Sequence, residues 1–262
     1  MRLAISLSLA LGLATGSVLA GTGTGTVTFV HFNDLHAHLT PHTDLVPAPE
    51  NGPDATRIVE HGGLARAATL IKQIRATNPR SVLMNIGDTY HGGVEALYTR
   101  GNAIVAPMNL LGVDVGVPGN WDFAYGPAVT RARFGGNTPL ATRVAGMLSG
   151  EIARPNYPNL AANARYSTGR EFLPATLIKD LSGVKVGFIG LTSDIVAEMS
   201  PALAIGFTFT QGEAAYKTLI ERHAAALRAQ NVDLVVVMSE LGIHKDARLA
   251  DVINAGSVDV FF

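Results

Sequence analysis

Hydrophobic and polar positions along this chain form segments that predict alternating strands and helices. Apolar runs rich in β-branched residues predict strands, and apolar residues three or four positions apart predict helices. The predicted strands are 27–32, 81–86, 113–117, 159–163, 172–179, 184–191, 234–238 and 258–262. The predicted helices are 63–76, 103–111, 212–230 and 244–255. This alternation predicts a layered α/β fold with helices on both faces of the sheet.

Three segments add detail to this pattern. Residues 234–238 are almost wholly apolar, which is typical of a parallel strand buried on both faces. Gly183 predicts a hairpin-like return into the strand 184–191. Residues 40–60 are polar and rich in proline, so we expect a long loop there, and loops of that length are often functional.

The first twenty residues predict a signal peptide. Met1 and Arg2 are followed by an apolar run at 3–13 that is too short to span a bilayer, and Ala20 ends a plausible cleavage site. We therefore expect a periplasmic or secreted mature chain that starts near Gly21 and has no stable membrane insertion. An N-terminal membrane anchor is the alternative.

Composition restricts the chemistry of any site. Lys and Arg total 20 against 21 Asp and Glu, and no basic run appears, which argues against a nucleic acid polymer as partner. The chain has no cysteine, so thiolate metal sites are excluded. Any metal must bind to His, Asp, Glu or Asn.

Four polar clusters each follow a predicted strand. They are 33–38, 87–92, 119–122 and 239–244. Because ligands bind at the carboxyl ends of strands in open α/β sheets, we expect these loops to meet at one crevice.

The residue types in these loops suit divalent metals. Asp34 and His36 offer two donors on one turn, Asp88 can bridge two ions, and Asn120 offers a carbonyl oxygen. Such a set favours Mn, Zn, Fe or Mg, and two ions about 3.5–4 Å apart can clamp a phosphoryl group. Taken singly, each of these residues could instead serve a turn or a helix cap. His38, His42, His61 and His223 are expected to be solvated or surface histidines.

The motif order resembles a known family. Asn33-Asp34-x-His36, Gly87-Asp88-Thr89 and Gly119-Asn120-x-Asp122 are similar to the calcineurin-like metallophosphoesterases, most of all to the secreted 5'-nucleotidase branch. The segments 159–163 and 183–192 also match that branch. The resemblance covers 27–262 and implies an α/β/α sandwich with mixed, mostly parallel sheets.

The resemblance also implies roles for single residues. Asp34 and His36 would bind one metal ion, Asp88 would bridge two, and Asn120 would bind the second ion and approach the substrate oxyanion. A metal-bound hydroxide would attack phosphorus. The expected substrate is a small-molecule phosphoester, most simply a nucleotide.

Trp121 is a first departure from the family, which usually has histidine there as the general acid. Together with the loop at 87–92, it is similar to the thiosulfohydrolases of bacterial sulfur oxidation, which release sulfate from an S-sulfonated thiol. That activity is an alternative function. His91 is then the candidate for the missing acid, and Trp121 and Asp122 are candidate substrate contacts.

Two further departures affect the metal ligands. Glu240 stands where the family has a metal-binding histidine, so it is either a replacement ligand or a helix N-terminal acid. His244 is a fallback ligand. The family's next strand end carries a Gly-His-x-His loop and a second domain follows, but the sequence ends at Phe262. We therefore expect a domain at 27–262 without its C-terminal part, and an inactive truncated domain is a further alternative.

Overall fold

Four strands form the first sheet of the computed structural model, which describes the backbone of residues 14–19 and, in full, residues 26–135 and 151–262. Their order in the sheet is β1 (Ala14–Leu19), β2 (Thr26–Phe32), β5 (Ser81–Ile86) and β6 (Val115–Val117). Strands β2, β5 and β6 are parallel, and β1 runs antiparallel to β2. The three parallel strands are all among those predicted.

The second sheet also has four strands. Their order is β12 (Val260–Phe261), β11 (Leu234–Ser239), β9 (Lys185–Leu191) and β8 (Thr176–Asp180). Strands β9, β11 and β12 are parallel, and β8 pairs antiparallel with β9. The hairpin-like return expected at Gly183 is therefore confirmed.

The two sheets pack face to face, and helices cover their outer faces. Phe29 and Met84 of the first sheet share one apolar cluster with Phe188 and Met238 of the second. Helices α1 (Leu64–Thr77) and α3 (Asn102–Leu111) pack on the first sheet. Helices α6 (Glu213–Arg228) and α7 (Ile243–Val252) pack on the second. The layered α/β fold is thus confirmed, with two packed sheets between the helix layers.

Strand β11 shows why its sequence is almost wholly apolar. Val236 and Met238 face the opposing sheet, whereas Val235 and Val237 face the helices. Successive side chains of a strand point to opposite faces, so a strand buried on both sides needs apolar residues at every position. The interpretation from sequence is confirmed.

The segment 40–60 was wrongly predicted as a loop. It contains most of a β-hairpin of β3 (Pro41–Pro47) and β4 (Thr56–Gly62), joined through a single 3-10 turn at Pro49–Asn51. Nearly all of its residues are exposed or half-buried. Because the hairpin packs neither face into a core, its sequence lacks the apolar alternation that marks a strand.

The strand predicted at 159–163 is also wrong. Asn159 forms one isolated bridge to Gly116. The backbone then crosses between the sheets, since Leu160 N–H donates to Gly116 of the first sheet and Ala162 N–H donates to Gly190 of the second. A segment divided between two sheets cannot continue a ladder with either.

Several short elements were not predicted. They are the helices α2 (Val94–Thr99), α4 (Pro127–Phe134) and α5 (Val196–Met199), and a two-stranded sheet of β7 (Ala164–Tyr166) and β10 (Phe207–Phe209). These elements have eight residues or fewer, too few for a clear period.

The predicted signal peptide overlaps β1. The apolar run 3–13 and Ala20, which ends the predicted cleavage site, lie outside the described residues, and export stays a prediction. Among the described helices, none combines the length and the apolar character that a bilayer crossing requires.

Candidate metal centre

The loops that follow β2 and β5 are bound to each other through their backbones. The N–H groups of Asp34, His36 and Ala37 donate to the carbonyl oxygens of Gly87, Asp88 and Thr89, at 3.2, 2.9 and 3.0 Å. The two strands are neighbours in the sheet, so their carboxyl ends lie side by side. The expectation that these loops meet is confirmed.

Both loops hold their polar residues in a backbone conformation that L-residues rarely adopt. The φ angles are 51° at Asp34, 44° at His36 and 51° at Asp88. Each such residue costs on the order of 1–3 kcal/mol and persists where the surrounding structure enforces it, often at functional sites.

Three donor atoms meet at this point. His36 Nε2 lies 3.5 Å from Asp34 Oδ1 and 3.8 Å from Asp88 Oδ2. The other oxygen of each carboxylate is already engaged, because Asn33 donates to Asp34 Oδ2 at 2.7 Å and Trp121 N–H donates to Asp88 Oδ1 at 2.8 Å. The ligand atoms of the three residues lie within 4.8 Å of one another. One free oxygen from each carboxylate therefore faces the same imidazole nitrogen.

The tautomer of His36 follows from a second hydrogen bond. His36 Nδ1 lies 3.0 Å from the main-chain oxygen of His91, and a carbonyl oxygen can only accept. A proton therefore resides on Nδ1, which leaves Nε2 as the ring nitrogen available to a metal ion. Metal-binding histidines are commonly oriented in this way.

The electrostatics of this centre favour a cation. The pKa of Asp88 is raised to about 7, by burial first and then by the charge of Asp122. The pKa of Glu240 is raised to about 9, by burial and then by the charges of Asp88, Asp122 and Asp34. In the described part of the chain, no ion pair joins Asp34, Asp88 or Glu240 to a lysine or arginine. Carboxylates that converge without a lysine or arginine, beside an imidazole nitrogen, fit a divalent metal.

A cleft of about 420 Å³ extends from this point along the strand ends. Asp34, Asn120 and Glu240 line it together. The amide nitrogen of Asn120 lies 3.1 Å from the sulfur of Met199, which leaves the amide oxygen free of that contact. Glu240 is outside the 4.8 Å group, and its role as a ligand stays a prediction. His244 is exposed in the first turn of α7 and does not line the cleft.

Asp122 has a different place from the one predicted. Its side chain is buried, and its oxygens accept the backbone N–H groups of Thr89, Tyr90 and Gly119 at 2.9–3.0 Å. A carboxylate that accepts three such bonds beneath the loops is not available to a substrate. The predicted substrate contact is therefore corrected: Asp122 joins the loop after β5 to the loop after β6.

Trp121 and His91 form a stacked pair beside the centre. Their ring centroids lie 5.0 Å apart with an interplanar angle of 26°, and Trp121 is also edge-on to His36 at 6.4 Å. The pKa of His91 is lowered by burial and then by the charge of His36. Trp121 remains 41% exposed, so its ring can still meet a ligand.

The sequence profile described as calcineurin-like phosphoesterase matches residues 27–237. The chain belongs to the calcineurin-like phosphoesterase family. The strand-end motifs that carried the resemblance lie within the matched region, and the fold observed here supports the same assignment.

Individual relatives are similar to this chain over most of its length. It is 27% identical over 248 residues to a snake venom 5'-nucleotidase of Gloydius brevicauda, covering 90% of this chain and 37% of that protein. It is 26% identical to the 5'-nucleotidase of Rattus norvegicus, covering 90% and 38%. The chain thus spans about two fifths of the length of these relatives.

Solved structures show the same fold. A 5'-nucleotidase precursor from Thermus thermophilus superposes with a TM-score of 0.68 at 23% identity, covering 90% of this chain and 40% of that one. The sulfate thiohydrolase SoxB of the same genus superposes with a TM-score of 0.69 at 20% identity, covering 92% and 48%.

Two residues that support the centre were not singled out from sequence. Ser193 is buried two residues after the end of β9 and lines the cleft together with Glu240. Asn33 belongs to the first strand-end motif, and its amide donates to Asp34 and orients it. The signal for Ser193 was its position, because it follows a buried strand as the other clusters do.

Proposed function

We propose that residues 27–262 form the metal-binding part of an exported hydrolase that acts on phosphate esters, with nucleotides as substrates and two divalent ions as cofactors. The convergence of Asp34, His36 and Asp88 at the strand ends carries this proposal. The relatives named 5'-nucleotidase support the substrate class.

The residues divide between two metal positions. Asp34 and His36 would hold one ion, Asp88 would contribute to both, and Asn120 with Glu240 would hold the other. When bound, such ions supply Lewis-acid activation of water and neutralise the charge of the phosphoryl group. Mn, Zn, Fe and Mg all suit oxygen and imidazole donors.

The protein's own groups orient this centre. Asn33 and the backbone N–H of Trp121 each hold one carboxylate oxygen, so the opposite oxygens stay directed at the ion site. The main-chain oxygen of His91 keeps the Nδ1 proton of His36 in place. Fixed ligands of this kind need little rearrangement when charge develops in the transition state.

Trp121 and His91 would meet the part of the substrate beyond the phosphate. The exposed indole offers an aromatic surface on which a flat leaving group can stack. The lowered pKa of His91 favours its neutral imidazole form. The N–H of a neutral imidazole can donate a hydrogen bond to the leaving-group oxygen. It is better suited to that role than to the full transfer of a proton to the oxygen.

A metal-dependent phosphatase assay tests the proposal. The purified chain is stripped with EDTA and assayed for phosphate release from AMP and p-nitrophenyl phosphate, with and without Mn²⁺. We expect release that needs the metal and is lost in Asp88→Asn. Asp251→Asn, an exposed position on α7, is the matched control and should keep full activity. Metal-independent release, or equal activity in Asp88→Asn, would contradict the proposal.

The stacked Trp121–His91 pair favours a second candidate function, a thiosulfohydrolase-like activity. Sulfate release from an S-sulfonated cysteine peptide, measured beside phosphate release, separates the two. Release of sulfate without release of phosphate would contradict the phosphoesterase proposal and support the thiosulfohydrolase-like activity. Neither product from a chain that contains metal would favour an inactive domain.

Export is tested separately from catalysis. Expression of the complete sequence in a bacterial host should yield periplasmic chain whose N-terminus, determined by mass spectrometry, lies near Gly21. An uncleaved chain in the membrane fraction would favour the alternative of an anchor.

A further inference from the structure

The hairpin of β3 and β4 carries a second group of metal-ligating side chains. His42 and His61 are directly opposite each other in the antiparallel register, and Asp44 lies two residues beyond His42. Side chains at positions i and i+2 of a strand share a face, and opposed residues of a pair are neighbours on it. The ligand atoms of the three residues lie within 4.8 Å of one another.

A fourth donor approaches from the preceding loop. The ring centroids of His38 and His42 lie 4.9 Å apart, and those of His42 and His61 lie 4.8 Å apart. His61 Nε2 lies 3.5 Å from Asp44 Oδ2. Three imidazoles and one carboxylate therefore gather at the root of the hairpin.

Burial in a core does not explain this cluster. His38, His42 and Asp44 are exposed, and His61 is half-buried. Among the ion pairs of the described residues, Asp44 pairs with His61 and with no lysine or arginine. The expectation of solvated histidines is confirmed for His38 and His42, which are exposed, and the structure adds that their side chains lie together with those of His61 and Asp44.

The donor chemistry specifies the class of ion. Imidazole and a single carboxylate suit Zn²⁺ and its neighbours Ni²⁺ and Cu²⁺, whereas Ca²⁺ and Mg²⁺ prefer sets of oxygen ligands. Zinc binds four such ligands tetrahedrally at about 2.0–2.2 Å. The ligand atoms of His42, Asp44 and His61 lie within 4.8 Å of one another, and exposed side chains on the hairpin can reach a shared ion by small rotations.

We propose that His38, His42, Asp44 and His61 form a separate zinc-binding site, which we call the hairpin site. An ion there would join both strands of the hairpin to the loop that bears His36, two residues before His38. The proposal is independent of the proposed function, since it uses none of the ligands assigned to the strand-end centre.

Zinc stoichiometry of the full chain tests the hairpin site. Wild-type protein and variants are dialysed against the same buffered free Zn²⁺, and bound zinc per chain is measured by plasma emission spectroscopy. We expect His42→Ala/His61→Ala to bind one equivalent fewer than wild type. Asp88→Asn should keep the hairpin equivalent, and His223→Ala, which removes a histidine on α6, should change nothing.

A measurement of zinc affinity and a measurement of folding complete the test of the hairpin site. Asp44→Asn preserves the shape of the side chain, and we expect it to raise the dissociation constant for Zn²⁺ about tenfold or more, since a neutral amide is a poorer ligand. Circular dichroism establishes that each variant is folded, as expected for exposed positions. Equal zinc content in folded wild type and His42→Ala/His61→Ala would overturn the proposal. So would loss of all bound zinc in Asp88→Asn alone.

Discussion

His36 donates the proton on Nδ1 to the main-chain oxygen of His91, 3.0 Å away, and thereby directs Nε2 at Asp34 and Asp88. The hydrogen bond joins the loop after β2 to the loop after β5. It depends on the backbone of His91 and not on its ring, so the two functions of His91 can be separated by mutation.

Removal of the His91 ring should therefore affect turnover and not metal binding. In His91→Ala we expect metal content to match wild type and kcat to fall about 100-fold, within the range that a positioned acid or base contributes. Metal analysis and steady-state kinetics on the same preparation measure both quantities, with His223→Ala as control. Full turnover in His91→Ala would eliminate the imidazole as a participant.

Asp122 should prove structural. In Asp122→Asn the new amide N–H₂ replaces an acceptor that now receives backbone N–H groups, so at least one buried donor loses its partner. We expect the free energy of unfolding to fall by about 1–3 kcal/mol. Chemical denaturation measures this change, and the exposed Asp251→Asn should leave stability unchanged. An equally stable Asp122→Asn would contradict the assignment.

The metal-free chain should lose stability as pH rises. Asp88 and Glu240 have ordinary pKa values of 3.8 and 4.5, and in the fold these rise to about 7 and 9. Between those limits the folded chain binds more protons than the unfolded chain, so these two groups lower the free energy of unfolding with increasing pH. Their stabilising effect is complete below about pH 4 and absent above about pH 9.

Divalent metal should reverse that trend. A metal ion competes with protons for the same oxygens, so its affinity increases as the carboxylates deprotonate. Melting temperatures measured from pH 5 to pH 9, with EDTA or with Mn²⁺, should therefore diverge with increasing pH. A stabilisation by Mn²⁺ that is constant across this range would show that the ion binds elsewhere.

Gly87 should tolerate no side chain. Its φ is +80°, and a Cβ atom would lie 2.6 Å from Glu240 Cγ and 2.8 Å from Gly119 Cα. Gly183 is a matched control, because its φ is +88° and a Cβ there would meet no atom within 4 Å. In both alanine variants the left-handed backbone conformation lowers stability by about 1–2 kcal/mol.

Because both variants share the backbone cost, the difference in their stability measures the steric crowding around Gly87. Gly87→Ala should be less stable than Gly183→Ala by about 1–3 kcal/mol, the usual cost of overpacking, and should bind metal more weakly. Equilibrium unfolding and metal titration measure the two effects. Equal stability and equal metal affinity in the two variants would indicate that the loops have more room than the structure shows.

The sequence predicted the strands best where burial imposed a pattern. Strand β11 is apolar at nearly every position because both of its faces are covered, and the loops after β2, β5 and β6 were located because polar residues follow such strands directly. The hairpin of β3 and β4 escaped prediction because its exposed strands carry no hydrophobic period.

Side-chain direction was the part that could not be predicted. Asp122 and Asp88 both follow strands, but one carboxylate is directed at backbone N–H groups and the other at His36. That difference depends on the relative position of two loops far apart in sequence. The clustering of His42 with His61 depends likewise on hairpin register, which the sequence left unspecified.

Manganese binding to the stripped chain is the decisive measurement for the strand-end centre. Free Mn²⁺ is followed by electron paramagnetic resonance during titration of the His42→Ala/His61→Ala chain, which keeps Asp88, and of the same chain with Asp88→Asn added. We expect saturable binding to the chain that keeps Asp88, with phosphate release rising over the same range of Mn²⁺, and the loss of both when Asp88→Asn is added. Equally tight binding of Mn²⁺ to the two chains would contradict a metal centre formed by Asp34, His36 and Asp88.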